Sequence, residues 1–253
     1  MKKFCLKILI FIFICIASLS ISYATSYDQA DLAREYISAN KESRDAALKD
    51  LFVAFKNLVS VKGSFEDIRS GWLYFDENND KLLIGSSGAV FCGGTMKREG
   101  LQKYGYDVIA FGGVFDDELV ELLKRLDGKK YKTIVLFGGI NDLNLRSLYN
   151  FHDIDFYYCE VLNLFLDEAK KHLIDENSSI YYIKIKPMTL NRDMDNERFI
   201  NNFNNMAKEI NDNVELFGYK SYAVPFDTSS EYSEHYIHYN NPIVYDTMFK
   251  SIG

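Results

Sequence analysis

The residues that could carry chemistry lie in four short stretches rich in glycine or polar side chains. The first, a Gly-Ser-Ser-Gly turn, holds the hydroxyl of Ser87, and the second is the pair Gly112 and Gly113. The third, Gly-Gly-Ile-Asn-Asp, holds the amide of Asn141, and the fourth contains His238. A serine nucleophile, a histidine base and N–H donors that bind an oxyanion are the groups that acyl transfer requires. The four stretches therefore predict acyl-transfer chemistry.

The first stretch has a simpler interpretation as well. Ser86 or Ser87 could cap the helix that follows, because serine is a favoured N-cap residue and short Gly/Ser motifs recur by chance. The apolar run Leu82–Ile84 before the turn is typical of a buried strand, so the turn joins a strand to a helix. The N-terminus of that helix would offer free backbone N–H groups to an oxyanion. On this stretch alone both interpretations stay open.

The strands and helices that must position these residues alternate regularly from Lys81 onward. Such alternation is typical of a doubly wound parallel sheet with helices on both faces. The predicted strands are Leu82–Ile84, Val108–Phe111, Ile134–Phe137, Ile180–Ile185 and Ser221–Val224. The predicted helices lie near Ala89–Tyr104, Asp116–Leu126, Asp155–Asp175, Glu197–Leu216 and Pro242–Ile252. In such a fold the four stretches follow strand ends, where ligands bind.

The chain before this region has a different character. Three lysines precede an apolar run from Ile8 to Ile21, and Ser22-Tyr23-Ala24 places small residues where a signal peptidase reads them. We therefore predict a cleaved signal peptide at residues 1–24, an exported protein and no stable membrane span after cleavage. An uncleaved membrane anchor is the competing interpretation. Residues 25–79 are interpreted as a helical N-terminal extension and connector: a stalk, a cap over the later fold or an oligomerisation helix.

Charge and cysteine content exclude several classes of partner. The formal net charge is −7, and loss of the predicted signal peptide, with three lysines and no acids, would make it −10. An acidic exported domain is a poor candidate for binding nucleic acid or anionic lipid. Cys92 and Cys159 remain after cleavage and are interpreted as small apolar residues rather than a bridge. His235 and His238 have metal-ligand spacing but no evident third ligand, so we predict no metal and no cofactor.

The four stretches, taken in this order, resemble the sequence blocks of the SGNH/GDSL hydrolases. The resemblance implies that Ser87 is the nucleophile and that His238 is the base. It also implies that the amide of Asn141 and the backbone N–H of Gly113, or of Gly112, bind the oxyanion. Gly-Ile-Asn-Asp is the most distinctive of the matches. Members of this family hydrolyse esters and acyl groups, and exported bacterial members often remove O-acetyl groups from polysaccharide or peptidoglycan, or act on lipids.

Two positions depart from the pattern of that family. Ser86 stands where the family usually has the Asp of Gly-Asp-Ser, and His235 stands where it usually has an Asp three residues before the base. A histidine cannot reproduce the carboxylate that fixes the tautomer of the base and stabilises the imidazolium. Glu234, Glu231 or Asp227 could replace that carboxylate. A backbone carbonyl that orients the base in a Ser-His dyad is the alternative.

We therefore predict an exported serine ester hydrolase with an α/β fold. The expected architecture is a flavodoxin-like three-layer α/β/α domain with a five-stranded parallel sheet over residues 80–253, preceded by the helical extension. The expected substrate is an acylated glycan, peptidoglycan or lipid-type ester, and an O-acyltransferase would use the same groups. The loss of both aspartates supports an alternative: a catalytically degenerate domain that binds a cell-envelope glycan or has a structural role.

Overall fold

A mixed sheet with helices on both faces forms the centre of the protein. A computed structural model describes residues 65–67, 71–126, 128–148, 151–154, 156–188, 197–226, 233–234 and 238–253. The predicted signal peptide and the predicted helices before residue 65 lie outside these ranges. The sheet strands are β1 (Phe65–Asp67), β2 (Gly71–Tyr74), β3 (Lys81–Gly85), β4 (Tyr106–Phe111), β5 (Thr133–Phe137), β6 (Ser179–Ile183) and β7 (Lys220–Tyr222). A two-stranded ladder follows, with β8 (Ser233–Glu234) and β9 (His238–Tyr239).

Helices follow most of the strands, as the alternation in the sequence predicts. They are α1 (Ser87–Tyr104), α2 (Asp116–Leu123), α3 (Ile140–Leu148), α4 (Phe156–Lys170), α5 (Glu197–Asn213) and α6 (Pro242–Ile252), and a 3₁₀ turn (Val214–Phe217) extends α5. Helices α2 to α5 contribute to the apolar layer on one face of the sheet, and α1 and α6 to the layer on the other. This arrangement confirms the predicted three-layer α/β/α fold. Within the described ranges, no helix combines the length and apolarity that a bilayer span needs.

Five parallel strands run in the spatial order β4-β3-β5-β6-β7, which is the flavodoxin-like order. The chain first steps from β3 to β4 on one side and then crosses to β5 on the other. The switch point of the sheet therefore lies between β3 and β5. Gly85, the last residue of β3, lies opposite Ala110 in β4 and Phe137 in β5. The residues that follow these three strands are thus brought to one edge of the sheet.

The five predicted parallel strands are present, and the sheet has two further strands that were not predicted. The additional strands β1 and β2 pair antiparallel at the β4 edge and come from the segment interpreted as a connector. Four residues, Gly-Trp-Leu-Tyr, are too few for a period-2 pattern to be recognised. Helix α3 was also missing from the predicted elements, because its start lies in a glycine-rich stretch that reads as a turn.

Strand β2 holds helix α1 through its tryptophan. The indole Nε1 of Trp72 donates a hydrogen bond to the carbonyl of Val90 at 3.0 Å. A Cβ atom on Gly93 would lie only 2.6 Å from the Trp72 ring, whereas one on Gly94 would lie at an ordinary 3.7 Å. The indole therefore packs directly on the backbone of α1 at Gly93.

No disulfide joins Cys92 of this helix to Cys159, and Cys92 is buried in the core as expected.

The contact of Trp72 with Gly93 predicts opposite effects for the same substitution at neighbouring positions. Gly94→Ala should raise the free energy of unfolding by about 0.5–1 kcal/mol, because alanine has the higher helix propensity. Gly93→Ala gains the same propensity but forces the indole aside, so it should lower stability by about 1–3 kcal/mol. Urea denaturation of the two variants and the wild type measures both changes in the free energy of unfolding. Equal stability of the two variants would show that Trp72 does not pack on α1.

Candidate active site

The strand–turn–helix junction at Ser87 forms because two glycines allow close packing against Phe137. A Cβ on Gly85 would lie 2.3 Å from the Phe137 carbonyl oxygen, and one on Gly88 would lie 2.7 Å from the Phe137 ring. The backbone N–H of Ser86 donates to the same carbonyl at 3.0 Å. Phe137 therefore fixes the turn from both sides, and Ser87 begins helix α1 half-exposed at the carboxyl edge of the sheet.

The helix-capping interpretation of the two serines does not describe what their side chains do. Ser86 occupies the N-cap position, but its side chain makes no capping hydrogen bond. Its Oγ is buried and bonds to no described residue, although burying an unmatched hydroxyl costs about 1–3 kcal/mol. The Oγ of Ser87 lies 2.8 Å from Nε2 of His238 instead.

The Ser87–His238 contact joins two distant parts of the chain in the geometry of a nucleophile and its base. His238 lies in β9, directly before α6, whose start is fixed by the Asn241 side chain accepting the Ile243 N–H at 3.1 Å. At 2.8 Å a neutral imidazole nitrogen can take the hydroxyl proton as the oxygen attacks a carbonyl. The imidazole ring of His238 also stacks on the ring of Phe91, with 4.4 Å between the ring centroids and 7° between the planes.

The remaining predicted donors lie at the ends of the strands on either side of β3. Gly112 and Gly113 form the exposed turn after β4, and Gly113 has φ +79°, a conformation that favours glycine. Asn141 lies in the first turn of α3, after β5, and its Nδ2 donates to the carbonyl of Val114 at 2.7 Å. This hydrogen bond joins the β4 turn to the Asn141 turn. An amide nitrogen carries two hydrogens, so one N–H of Asn141 remains for a ligand.

A buried network behind Asn141 holds the same two turns together. Asp116, the first residue of α2, accepts the Gly139 N–H at 2.9 Å and the Tyr158 hydroxyl at 3.0 Å. Its own N–H donates to Asp142 at 3.1 Å, and the Asp142 carboxylate lies 3.7 Å from the Arg146 guanidinium. Asp142 therefore braces the loop that precedes α2. Asp116, Arg146 and Tyr158 were not identified as functional residues from the sequence. The only signal in the sequence was the position of Asp116, an acid that follows the end of a strand.

The two carboxylates of this network are difficult to ionise together. Burial raises the pKa of Asp116 to about 6. Burial, followed by the nearby Asp116 carboxylate, raises the pKa of Asp142 well above its usual range, although Arg146 opposes the shift. One guanidinium faces two carboxylates, so the pair titrates as a unit rather than as two separate acids.

The group that orients the second nitrogen of His238 stays a prediction. Asp227, Glu231 and His235 lie outside the described residues. The backbone of Glu234 pairs with the backbone of His238 in the β8–β9 ladder. In the described parts of the chain, no group of three or more His, Cys, Asp or Glu side chains is placed to hold a metal ion.

Comparison with solved structures identifies the fold. A GDSL-like lipase from Bacteroides thetaiotaomicron is similar over 67% of this chain and 83% of its own length, with 12% identity and a TM-score of 0.51. The chain has the SGNH/GDSL hydrolase fold. An acetyl xylan esterase (16% identity, 68% of this chain and 100% of that one, TM-score 0.47) and a catalytic mutant of an acetylxylan esterase from Geobacillus stearothermophilus (14%, 68% and 91%, 0.39) are more distant in shape. No protein-family model and no curated protein sequence matches the chain.

The buried pair in this SGNH/GDSL fold predicts a pH dependence of stability. The pKa of Asp116 is higher in the folded state, at about 6, than its ordinary value of 3.8. The folded protein therefore binds this proton more tightly, so the contribution of Asp116 to stability is greatest below pH 4 and is lost as pH rises through 6. Asp116→Asn removes the titrating group with little change of shape and should flatten this decline by about 2 kcal/mol between pH 4 and pH 7.

Urea denaturation at half-unit pH intervals, on the wild type and Asp116→Asn, measures the difference. The difference between the two curves isolates Asp116 from the other acids of the protein. Parallel curves for the two proteins across this range would mean that Asp116 does not retain a proton on folding.

Proposed function

We propose that the protein is a serine ester hydrolase in which Ser87 is the nucleophile and His238 is its base. The observation that supports this most strongly is the 2.8 Å hydrogen bond between Ser87 Oγ and His238 Nε2. The pair lies at the carboxyl end of β3, beside the switch point of the sheet, where ligands of open α/β folds bind. The adjoining turns carry the Gly113 N–H and the Asn141 amide, the two further donors that acyl transfer needs.

The proposed reaction has two halves. Ser87 Oγ attacks the ester carbonyl while His238 takes the hydroxyl proton, and the carbonyl oxygen becomes an oxyanion. The backbone N–H groups of Ser87 and Gly113 and the second N–H of Asn141 bind that oxyanion. The C–O bond to the alcohol then breaks, and His238 returns the proton to the leaving oxygen. Water, deprotonated by His238, hydrolyses the acyl-enzyme by the reverse steps.

A small cavity that includes the sequence neighbours of Asn141 and His238 in its lining supports a short acyl group. Its volume is about 20 Å³, enough for one or two groups the size of water or methyl. Ile140 and Tyr239, the neighbours of Asn141 and His238, line it together with Phe137, Val224 and other residues at the ends of β5 and β6. Most of these side chains are apolar, which suits the methyl group of an acetyl ester. We propose that the protein removes O-acetyl groups.

The predicted signal peptide supports an activity outside the cytoplasm. We propose that the physiological ester is an O-acetylated glycan of the cell envelope or its surroundings, in keeping with the family that the motifs resemble. A binding domain without turnover is the competing function, because Ser86 and His235 replace the two aspartates of that family. The two proposals differ in whether Ser87 is an activated nucleophile.

Substitution of the proposed reacting groups should abolish hydrolysis of p-nitrophenyl acetate. Ser87→Ala and His238→Ala should each lower kcat by at least about 10³-fold, and Asn141→Ala should lower it by roughly 10²-fold to 10³-fold. A fluorophosphonate should add once to the wild type, detected by intact mass, and not to Ser87→Ala. Ser251→Ala is the matched control, because this exposed serine hydrogen-bonds only within α6.

Each outcome of this experiment decides between the two functions. A single adduct that is lost in Ser87→Ala supports the hydrolase. A folded wild type that forms no adduct and hydrolyses no ester would contradict the hydrolase proposal and would favour glycan binding without turnover. Unchanged activity in His238→Ala and Asn141→Ala would overturn the proposed mechanism even if the protein hydrolyses esters.

The small cavity predicts a steep dependence on acyl length. The kcat/KM for p-nitrophenyl butyrate should be at least about tenfold below that for the acetate, because added methylenes exceed the space available. Val224→Ala enlarges the cavity and should narrow this ratio. Val120→Ala is the matched control: both valines are 6% exposed, but Val120 lies on the opposite face of the sheet. The same ratio in the wild type and in both variants would show that the acyl group binds elsewhere.

A further inference from the structure

We propose that Phe91 is a positioning residue that holds the imidazole of His238 in line with Ser87. This inference rests on the proposed function, since it concerns the orientation of the base. The two rings are nearly parallel, 7° apart, and their centroids lie 4.4 Å from each other. Aromatic rings stacked at this separation attract each other beyond the effect of burial alone.

The position of Phe91 on α1 couples the base to the nucleophile. Phe91 follows Ser87 by four residues, so the two side chains lie on the same face of one helix, one turn apart. One helix therefore carries both the hydroxyl that His238 must reach and the ring against which His238 rests. The Trp72 hydrogen bond to the carbonyl of Val90, the residue before Phe91, holds this turn of the helix in place.

Stacking on Phe91 supports the base whichever group bonds its second nitrogen. An imidazole can rotate about its Cβ–Cγ bond, and a carboxylate bonded to its second nitrogen normally prevents this. Here His235 stands at the position of that carboxylate. A flat ring stacked on His238 restricts the same rotation by contact, because turning the imidazole out of the parallel plane would lose the stacking.

The stacked ring also favours the charged form of the base. His238 becomes an imidazolium when it takes the Ser87 proton, and the face of an aromatic ring attracts a cation. Phe91 thus acts in the transition state, where the positive charge develops, more than in the bound ester. Its removal should therefore lower kcat and leave KM nearly unchanged.

Substitution of Phe91 tests this with p-nitrophenyl acetate as the probe. Phe91→Leu keeps an apolar side chain but removes the aromatic face, and it should lower kcat by roughly 5-fold to 20-fold with KM changed less than about twofold. Phe91→Tyr keeps the face and should restore kcat to within about twofold of the wild type. Phe156→Leu, the same substitution at a side chain that is 74% exposed, is the control and should leave kcat unchanged.

A second readout does not depend on activity. The ring C–H protons of His238 lie over the Phe91 ring, so their NMR signals should be shifted upfield in the wild type and in Phe91→Tyr, but not in Phe91→Leu. A wild type that hydrolyses nothing would end the proposed function, and these signals would still decide whether the rings stack. Equal kcat in the wild type and Phe91→Leu, or equal losses in Phe91→Leu and Phe91→Tyr, would overturn the positioning role.

Discussion

The close packing of Phe137 against the end of β3 is the constraint on which the site depends. Its carbonyl leaves no space for a side chain at Gly85, and its ring leaves none at Gly88. The turn between these glycines can therefore follow only a narrow path, and helix α1 must start where that path ends. Ser87 is the first residue of the helix, so this packing fixes its position. The pairing of β3 with β5 thus determines where the Ser87 hydroxyl lies.

The Gly113 N–H and the Asn141 amide lie on separate turns, and both must be held close to one point. Hydrogen bonds between the two turns and in the core beneath them do this. The Asn141–Val114 hydrogen bond joins the turns near the surface, and the Asp116–Asp142–Arg146 network joins them in the core. Burying two carboxylates beside one guanidinium opposes stability, as their raised pKa values indicate. Such arrangements are found where geometry matters more than stability.

The architecture was predictable from the sequence because most of the parallel strands are apolar runs separated by helical stretches. The first three motif stretches could be placed for the same reason, since each follows a strand, and the Ser87–His238 contact agrees with the roles that the resemblance implies. Strand β2 could not be predicted, because it is four residues long and is stabilised by pairing with a distant strand. Phe91 reads as an ordinary helix residue, and only the fold brings His238 onto its ring.

The antiparallel strand β2 has a consequence for how this protein can change in evolution. The regular alternation of strands and helices starts at residue 81, so the sequence alone suggests that a gene fusion or deletion with its boundary there exchanges an independent appendage. That boundary instead cuts through one hydrogen-bonded sheet and removes Trp72 from the backbone of α1 at Gly93. We therefore expect the stretch from 71 to 74 to be inherited together with the helix that carries Ser87, and a crossover that preserves the site to fall farther upstream.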